Sequence, residues 1–161
     1  FQMPVESFDP RRTLGDGITE GLRNHGRSKK DAAAECQRLL ERCGLEAAFA
    51  DRYPHEVSGG QCQRAAIARA LAIQPKLLIL DEATSALDVT VQADILSLLD
   101  ELQKELKMSY LFISHDIALV QDFCDRVIVM HDGKIVETGT TDEVIRHPQQ
   151  DYTKKLIDSV L

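Results

Sequence analysis

The chain has 161 residues, 43% hydrophobic and 28% charged, a composition typical of a globular protein with a packed core. Its formal net charge of −7 argues against nucleic acid as the main partner. Its apolar runs are much shorter than the roughly 18 residues that cross a bilayer, so no transmembrane helix is expected. The four cysteines lack C-x-x-C or zinc-ligand spacing, which predicts reduced thiols.

The first part of the chain is predicted to be helical. Residues 4–27 are rich in Pro, Gly, Asp and Arg, which indicates loop or short helix. Ser28 opens a capping box followed by an amphipathic helix, which Gly44 ends. A second helix is predicted over residues 60–73, ahead of a proline.

From residue 76 onward, short apolar runs alternate with helical patterns. Continuous apolar runs of this length are typical of strands buried on both faces of a parallel sheet, so the predicted fold class is α/β. We predict strands at 76–80, 110–114 and 126–130, helices at 91–106 and 116–124, a hairpin turn at 131–133, and closing helices at 141–147 and 149–160.

The stretch "VSGGQ" has the features of a phosphate-binding helix entrance. Ser58 is a good N-cap, and Gly59, Gly60 and Gln61 would present unpaired N–H groups at the positive end of the helix dipole. A Ser-capped helix after a flexible turn explains the motif equally well when it is taken alone.

Acidic residues and a histidine follow two of the predicted strands. In open parallel sheets, ligands bind at the carboxyl ends of the strands. Asp81 there would hold Mg²⁺ through its waters, and Glu82 would orient or deprotonate a water that attacks a phosphoryl group. His115, after the next strand, could hydrogen-bond a γ-phosphate, although a lone histidine is more often structural.

Taken in order, these motifs resemble the ATP-binding subunit of ABC transporters over essentially the whole chain. "VSGGQCQR" is similar to the family's signature motif, with Val57 in place of Leu, and "LLILDE" to its Walker B motif. "SALD" at residues 85–88 resembles the D-loop, His115 the switch histidine and Gln2 the Q-loop glutamine. The resemblance implies ATP and Mg²⁺ as cofactors. It assigns catalysis to Glu82 and His115, nucleotide contacts to Gln2, Ser58, Gly59, Gly60, Gln61 and Asp88, and the metal to Gln2 and Asp81.

The resemblance implies a partial P-loop NTPase core preceded by the ABC helical subdomain. Residues 1–72 would be the Q-loop and helical subdomain, and residues 73–161 the C-terminal part of the core. No G-x-x-x-x-G-K-[ST] occurs in the sequence, so the phosphate-binding P-loop is expected before Phe1. The family's P-loop strand lies between the strands predicted at 110–114 and 126–130. The sheet is therefore expected to have a gap, and either to be liable to pair with another chain or to stay loosely packed.

Two further stretches, "FQMPVESFDPRRT" and "HPQQDYTKKL", resemble the oligopeptide, dipeptide and nickel importer branch, with Met3 replacing the usual Asp. This implies an ATPase at the cytoplasmic face of a membrane that drives uptake of a peptide-like or metal-chelate solute. Its partners would be a second ABC ATPase subunit, permease subunits and, indirectly, a solute-binding protein. The 161 residues alone are expected to be inactive. Two alternatives stay open, a soluble ABC ATPase of an enzyme complex such as carbon–phosphorus lyase and a non-catalytic interaction module.

Overall fold

The computed structural model of the chain describes residues 4–85 and 87–159, which fall into two compact units, Phe1–Ile113 and Ser114–Leu161. The boundary predicted at residue 72 concerns subdomains of an ATPase core and stays a prediction. Every helix within the described residues is too short or too polar to cross a lipid bilayer.

The first unit holds the predicted helices and a pair of parallel strands. Its helices are α1 (Leu14–Asn24), α2 (Lys29–Arg42), α3 (Gly59–Leu71) and α4 (Val89–Leu106), with short 3₁₀ helices at Pro4–Ser7, Ala47–Asp51 and Pro54–Glu56. Its strands β1 (Leu77–Asp81) and β2 (Ser109–Ile113) run parallel in one sheet. The predicted α/β class and the helical character of the first part of the chain are confirmed.

Helix α1 is longer than the loop or short helix that was predicted there. Leu14, Ile18 and Leu22 recur at four-residue spacing and are buried, which gives α1 one apolar face. The glycines that suggested a loop allow close packing instead, because a Cβ on Gly17 would lie 2.8 Å from the ring of Phe8. Glycine therefore marks a close contact of a helix here. Composition alone could not distinguish a glycine in a loop from a glycine at such a contact.

Three cysteines belong to the core that α2 and α3 share. Cys36, Cys43 and Cys62 are buried. Burial raises the pKa of these thiols to about 11, about 12 and about 11 respectively, so they stay neutral and pack as small apolar groups. Cys124 is half-buried, and burial raises its pKa as well. All four thiols are free, as predicted.

Strand β1 is buried on one face only and β2 is half-buried on one face, which contradicts the prediction of burial on both faces. Leu78 and Leu80 are buried, but Leu77 and Ile79 are 52% and 59% exposed. The parallel register sets Leu111, itself 44% exposed, beside Ile79 on the open face. The apolar runs correctly predict the two strands, but the sequence does not reveal which neighbouring elements cover the faces of those strands.

The second unit is built on an antiparallel hairpin. Its elements are α5 (Ile117–Phe123), β3 (Arg126–His131), β4 (Lys134–Thr140), α6 (Thr141–Arg146) and α7 (Asp151–Asp158). Asp132 and Gly133 form the turn with φ of 48° and 72°, the left-handed pair that a tight hairpin requires. Within the described part of the chain, β3 pairs with β4 and with no other strand. The gap expected between β2 and β3 stays a prediction, because the two strands belong to different units. The prediction of a third strand buried on both faces is wrong, because Ile128 and Met130 are 56% and 60% exposed.

Helix α7 is attached to this hairpin by a carboxylate and a ring stack. Glu137 of β4 accepts hydrogen bonds from the backbone N–H groups of Gln149 and Gln150, at 2.8 and 3.2 Å. The rings of His131 and Tyr152 stack with centroids 3.8 Å apart. Glu137 thus places a negative charge at the N-terminus of α7, where the helix dipole favours it.

Replacing Glu137 with Gln is expected to loosen α7 at neutral pH. The Thr153 hydroxyl, whose contact with the carboxylate lies outside standard hydrogen-bond geometry, and the two backbone N–H groups hold the pKa of Glu137 below its ordinary value of 4.5. Because folding lowers this pKa, the stabilisation is present above the ordinary pKa and is lost as the pH falls through the lowered one. Hydrogen exchange of the α7 amides should be faster in the variant at pH 7, and the difference should shrink in acid.

The matched control is Glu101→Gln, at an exposed glutamate of α4 in the other unit. It should leave exchange in α7 unchanged at every pH. Equal protection of α7 in the Glu137→Gln variant and the unmodified chain at pH 7 would remove Glu137 from this role.

Candidate functional site

The entrance of α3 forms a complete capping box. The Gln61 N–H donates to the Ser58 hydroxyl at 3.3 Å, and the Ser58 N–H donates to Oε1 of Gln61 at 2.9 Å. The prediction that Gln61 presents an unpaired N–H is therefore corrected, since both its backbone and its side chain serve the cap. The first two positions of the helix, Gly59 and Gly60, have no intrahelical acceptor for their N–H groups. These two groups and the Ser58 hydroxyl are what the helix entrance can offer an anion.

The carboxylates predicted to carry the chemistry lie at the end of β1. Asp81 is the last residue of the strand and is exposed. Glu82 follows it with a left-handed backbone, φ 45°, which is uncommon for any residue except glycine. Its N–H donates to the carbonyl of Ile113 at 2.9 Å, and its carbonyl accepts from the N–H and the hydroxyl of Ser85, at 3.2 and 3.0 Å.

The left-handed conformation of Glu82 is a feature that sequence reasoning missed. Backbone outliers of this kind cost roughly 1–3 kcal/mol and cluster at functional sites, where surrounding bonds hold them in place. The bonds from Glu82 to Ile113 and Ser85 do so here. No residue type in "LLILDEATSALD" signals the conformation, because it arises from the pairing of β1 with β2.

Asp88, predicted to contact nucleotide, acts in this structure as the N-cap of α4. Its Oδ1 accepts from the N–H of Val91 at 3.0 Å, and its carbonyl accepts from the N–H of Gln92 at 2.9 Å. The sequence carried this signal, because aspartate is among the preferred residues immediately before a helix. The cap accounts for Asp88 structurally, and a nucleotide contact stays a prediction.

A cleft of about 500 Å³ lies between α1, α3 and β1, and Asp81 forms part of its lining. Glu20 adds a second carboxylate. Arg69, a cationic side chain of the lining, donates to the carbonyl of Ser7 and lies with its guanidinium carbon 4.3 Å from the ring centroid of Phe8. Burial lowers the pKa of Arg69. Two carboxylates and an engaged arginine suit a polyphosphate poorly, so the cleft does not by itself make a nucleotide site.

The donor set at Asp81 suits a nucleotide-bound Mg²⁺ better than a resident metal. Within residues 4–85 and 87–159, no group of three or more His, Cys, Asp or Glu side chains could hold a metal ion. Mg²⁺ keeps several of its waters and is commonly bound by one or two carboxylates together with substrate phosphates. A single exposed carboxylate at a strand end fits that arrangement.

His115 belongs to the second unit, in the segment that leads from β2 to α5. It is exposed and precedes Asp116, whose Oδ1 accepts from the N–H of Leu119 at 3.1 Å and caps α5. Gln2 lies outside the described residues. The first unit thus holds the α3 entrance, the β1 carboxylates and Asp88, and the second unit holds the histidine.

Comparison with known proteins places these features in a family context. The profile of ABC transporters matches residues 2–85, slightly more than half of the chain. The glutathione import ATP-binding proteins GsiA of Escherichia coli and Shigella flexneri are 54% identical over 161 residues, 99% of this chain. The chain spans 26% of the length of these relatives.

Two solved structures superpose on the chain. One is cbiO1 from Clostridium perfringens, part of the ABC transporter complex cbiONQ, with a TM-score of 0.79 and 33% identity over 99% of this chain and 61% of that one. The other is the ATP-binding cassette MJ0796, a dimer in a post-hydrolysis state with ADP and Pi bound. It has a TM-score of 0.74 and 30% identity over 88% of this chain and 61% of that one.

Proposed function

The chain belongs to the ABC transporter family, and on that premise we propose that the whole protein hydrolyses ATP to drive import of a peptide-like solute. The observation that carries the proposal is the pairing, in one unit, of a Ser-capped glycine helix entrance with a carboxylate pair at the end of a parallel strand. The 54% identity to glutathione importers supports a peptide-like solute, because glutathione is a tripeptide. A metal-chelate solute, which the sequence motifs also allow, has no such support.

Each residue of the α3 entrance has a proposed role towards phosphate. The N–H groups of Gly59 and Gly60 and the Ser58 hydroxyl bind phosphate oxygens at the positive end of the helix dipole. Gln61 supports them through the capping box. In this arrangement the phosphate belongs to the ATP held mainly by a facing ATPase subunit, and the dimeric state of the structural neighbour MJ0796 supports such a pairing.

The strand-end residues act on the ATP of their own subunit. Asp81 would hold Mg²⁺, which would offset negative charge on the phosphates. Glu82 orients the attacking water and accepts its proton. His115 donates a hydrogen bond to the γ-phosphate, and Gln2 and Asp88 complete the contacts to metal and nucleotide.

The proposal requires a phosphate-binding loop that these 161 residues do not contain. No G-x-x-x-x-G-K-[ST] occurs in them, and the cleft beside Asp81 offers no substitute. We place that loop elsewhere in the whole protein. The partners proposed are a second ABC ATPase subunit, permease subunits and a solute-binding protein, with the ATPase at the cytoplasmic face of the membrane.

Calorimetry with Mg-ATP tests whether the 161 residues form only part of the nucleotide-binding site. The whole protein is expected to give a binding isotherm, and the 161 residues alone are expected to give only heat of dilution, because they lack the phosphate-binding loop. Tight binding by the 161 residues would contradict the proposal that they form part of a larger site.

The importer role is tested by ATP hydrolysis in the reconstituted transporter. Failure of a solute-loaded binding protein to stimulate the transporter's ATPase would contradict the importer role.

A further inference from the structure

The entrance of α3 packs against the first turn of α4. A Cβ added to Gly60 would lie 2.5 Å from Cγ1 of Val91, far inside van der Waals contact. A Cβ added to Gly59 would lie 3.6 Å from Cδ2 of Leu87, an ordinary contact distance. Gly60 is therefore a glycine because Val91 occupies the adjoining space, whereas Gly59 leaves room for another group to approach.

We propose that Val91, which lies outside every motif named above, is a positioning residue for the phosphate-binding entrance of α3. Its side chain fixes the backbone at Gly60 and thereby the N–H groups offered to phosphate. The inference rests on the proposed function, in which this entrance contacts ATP. Val91 itself touches neither the nucleotide nor the reacting atoms.

Val91 is held rigidly enough for this role. Asp88 caps α4 by accepting the Val91 N–H at 3.0 Å, which fixes the backbone of the first turn. A β-branched side chain in a helix strongly prefers one χ1 rotamer, so the methyl group that meets Gly60 has little freedom to move. The packing requirement at Gly60 and the cap at Asp88 are independent observations that converge on Val91.

Hydrogen bonds also order the segment between the end of β1 and α4. The N–H of Ser85 donates to the carbonyl of Glu82 at 3.2 Å, and the N–H of Leu87 donates to that of Thr84 at 3.1 Å. Thr84 is only 4% exposed, so this connection is anchored in the core. Through the contact between Gly60 and Val91, the α3 entrance thus packs against a helix whose preceding segment is ordered from Glu82 onward.

The first test measures steady-state ATP hydrolysis by the whole protein. Val91→Ala removes the methyl groups and is expected to raise the KM for ATP about threefold or more with kcat changed less than about twofold, the pattern of lost binding. Val91→Thr keeps the shape of the side chain and should restore the KM. Val89→Ala, at a position of the same helix that is 83% exposed, is the matched control and should match wild type.

The second test measures coupling in unfolding free energy, which does not depend on ATP. Gly60→Ala clashes with Val91, so adding Val91→Ala should relieve the clash, and the double variant should be more stable than the sum of the single effects predicts. Gly59→Ala and Val91→Ala share no contact and should combine additively. Absence of coupling between positions 60 and 91 would overturn the packing argument and the proposal with it.

The outcomes separate this inference from the proposed function. A wild-type protein without ATPase activity would overturn the proposed function, and the positioning role with it. Normal wild-type activity with an unchanged KM in Val91→Ala would overturn the positioning role alone. A lowered kcat at unchanged KM would mean a smaller fraction of folded enzyme, and would also count against positioning.

Discussion

Glu82→Gln in the whole protein is expected to lower ATP turnover by about 10²–10⁴-fold while ATP binding stays close to wild type. Glutamine has the shape of glutamate, so the left-handed backbone at this position and its bonds to Ile113 and Ser85 are kept. The amide cannot accept the proton of the attacking water. Bound ATP should therefore persist and hold two ATPase subunits together, which size-exclusion chromatography with Mg-ATP would detect.

The control for this experiment is Glu101→Gln, the same chemical change at an exposed position of α4. It should hydrolyse ATP at the wild-type rate. An unchanged rate in the Glu82→Gln variant would assign the general base elsewhere. Loss of ATP binding in that variant would instead mean that Glu82 contributes mainly to the ground-state complex.

Leu40→Ala is expected to lower the free energy of unfolding by about 2–5 kcal/mol. Leu40 is fully buried on α2, which packs against α1 and α3, so truncation leaves a cavity in the helical core. The measurement is urea unfolding of the 161-residue chain. Leu77→Ala makes the same truncation at a side chain that is 52% exposed and should cost less than half as much. Equal losses in the two variants would mean that the helical core is not closely packed around Leu40.

The order and type of the elements could be predicted because each carries a local signal. Ser28 caps α2 by accepting the Asp31 N–H at 3.1 Å, and the "HDG" turn closes the hairpin of β3 and β4, both as the sequence indicates. The exposed faces of the strands could not be predicted. The residue type of an apolar position such as Ile79 does not indicate whether a neighbouring element covers its side chain.

The candidate site was predictable in its residue types and less so in its geometry. Ser58, Gly59 and Gly60 form a capped helix entrance, as the spacing of "VSGGQ" indicates. The engagement of the Gln61 N–H in the cap and the left-handed backbone of Glu82 were not predicted. Both depend on which hydrogen-bond partner a group finds, and for Glu82 that partner comes from β2, more than 30 positions further along the chain.

The buried thiols make this chain a reporter of its own opening motions. A thiol must ionise and meet solvent before an alkylating reagent can react with it, so Cys36, Cys43 and Cys62 become reactive only when the helical core opens. Cys124, which is half-buried in the other unit, does not depend on that opening and serves as the internal reference. Alkylation followed residue by residue by mass spectrometry would therefore measure the opening of the helical core without any introduced label.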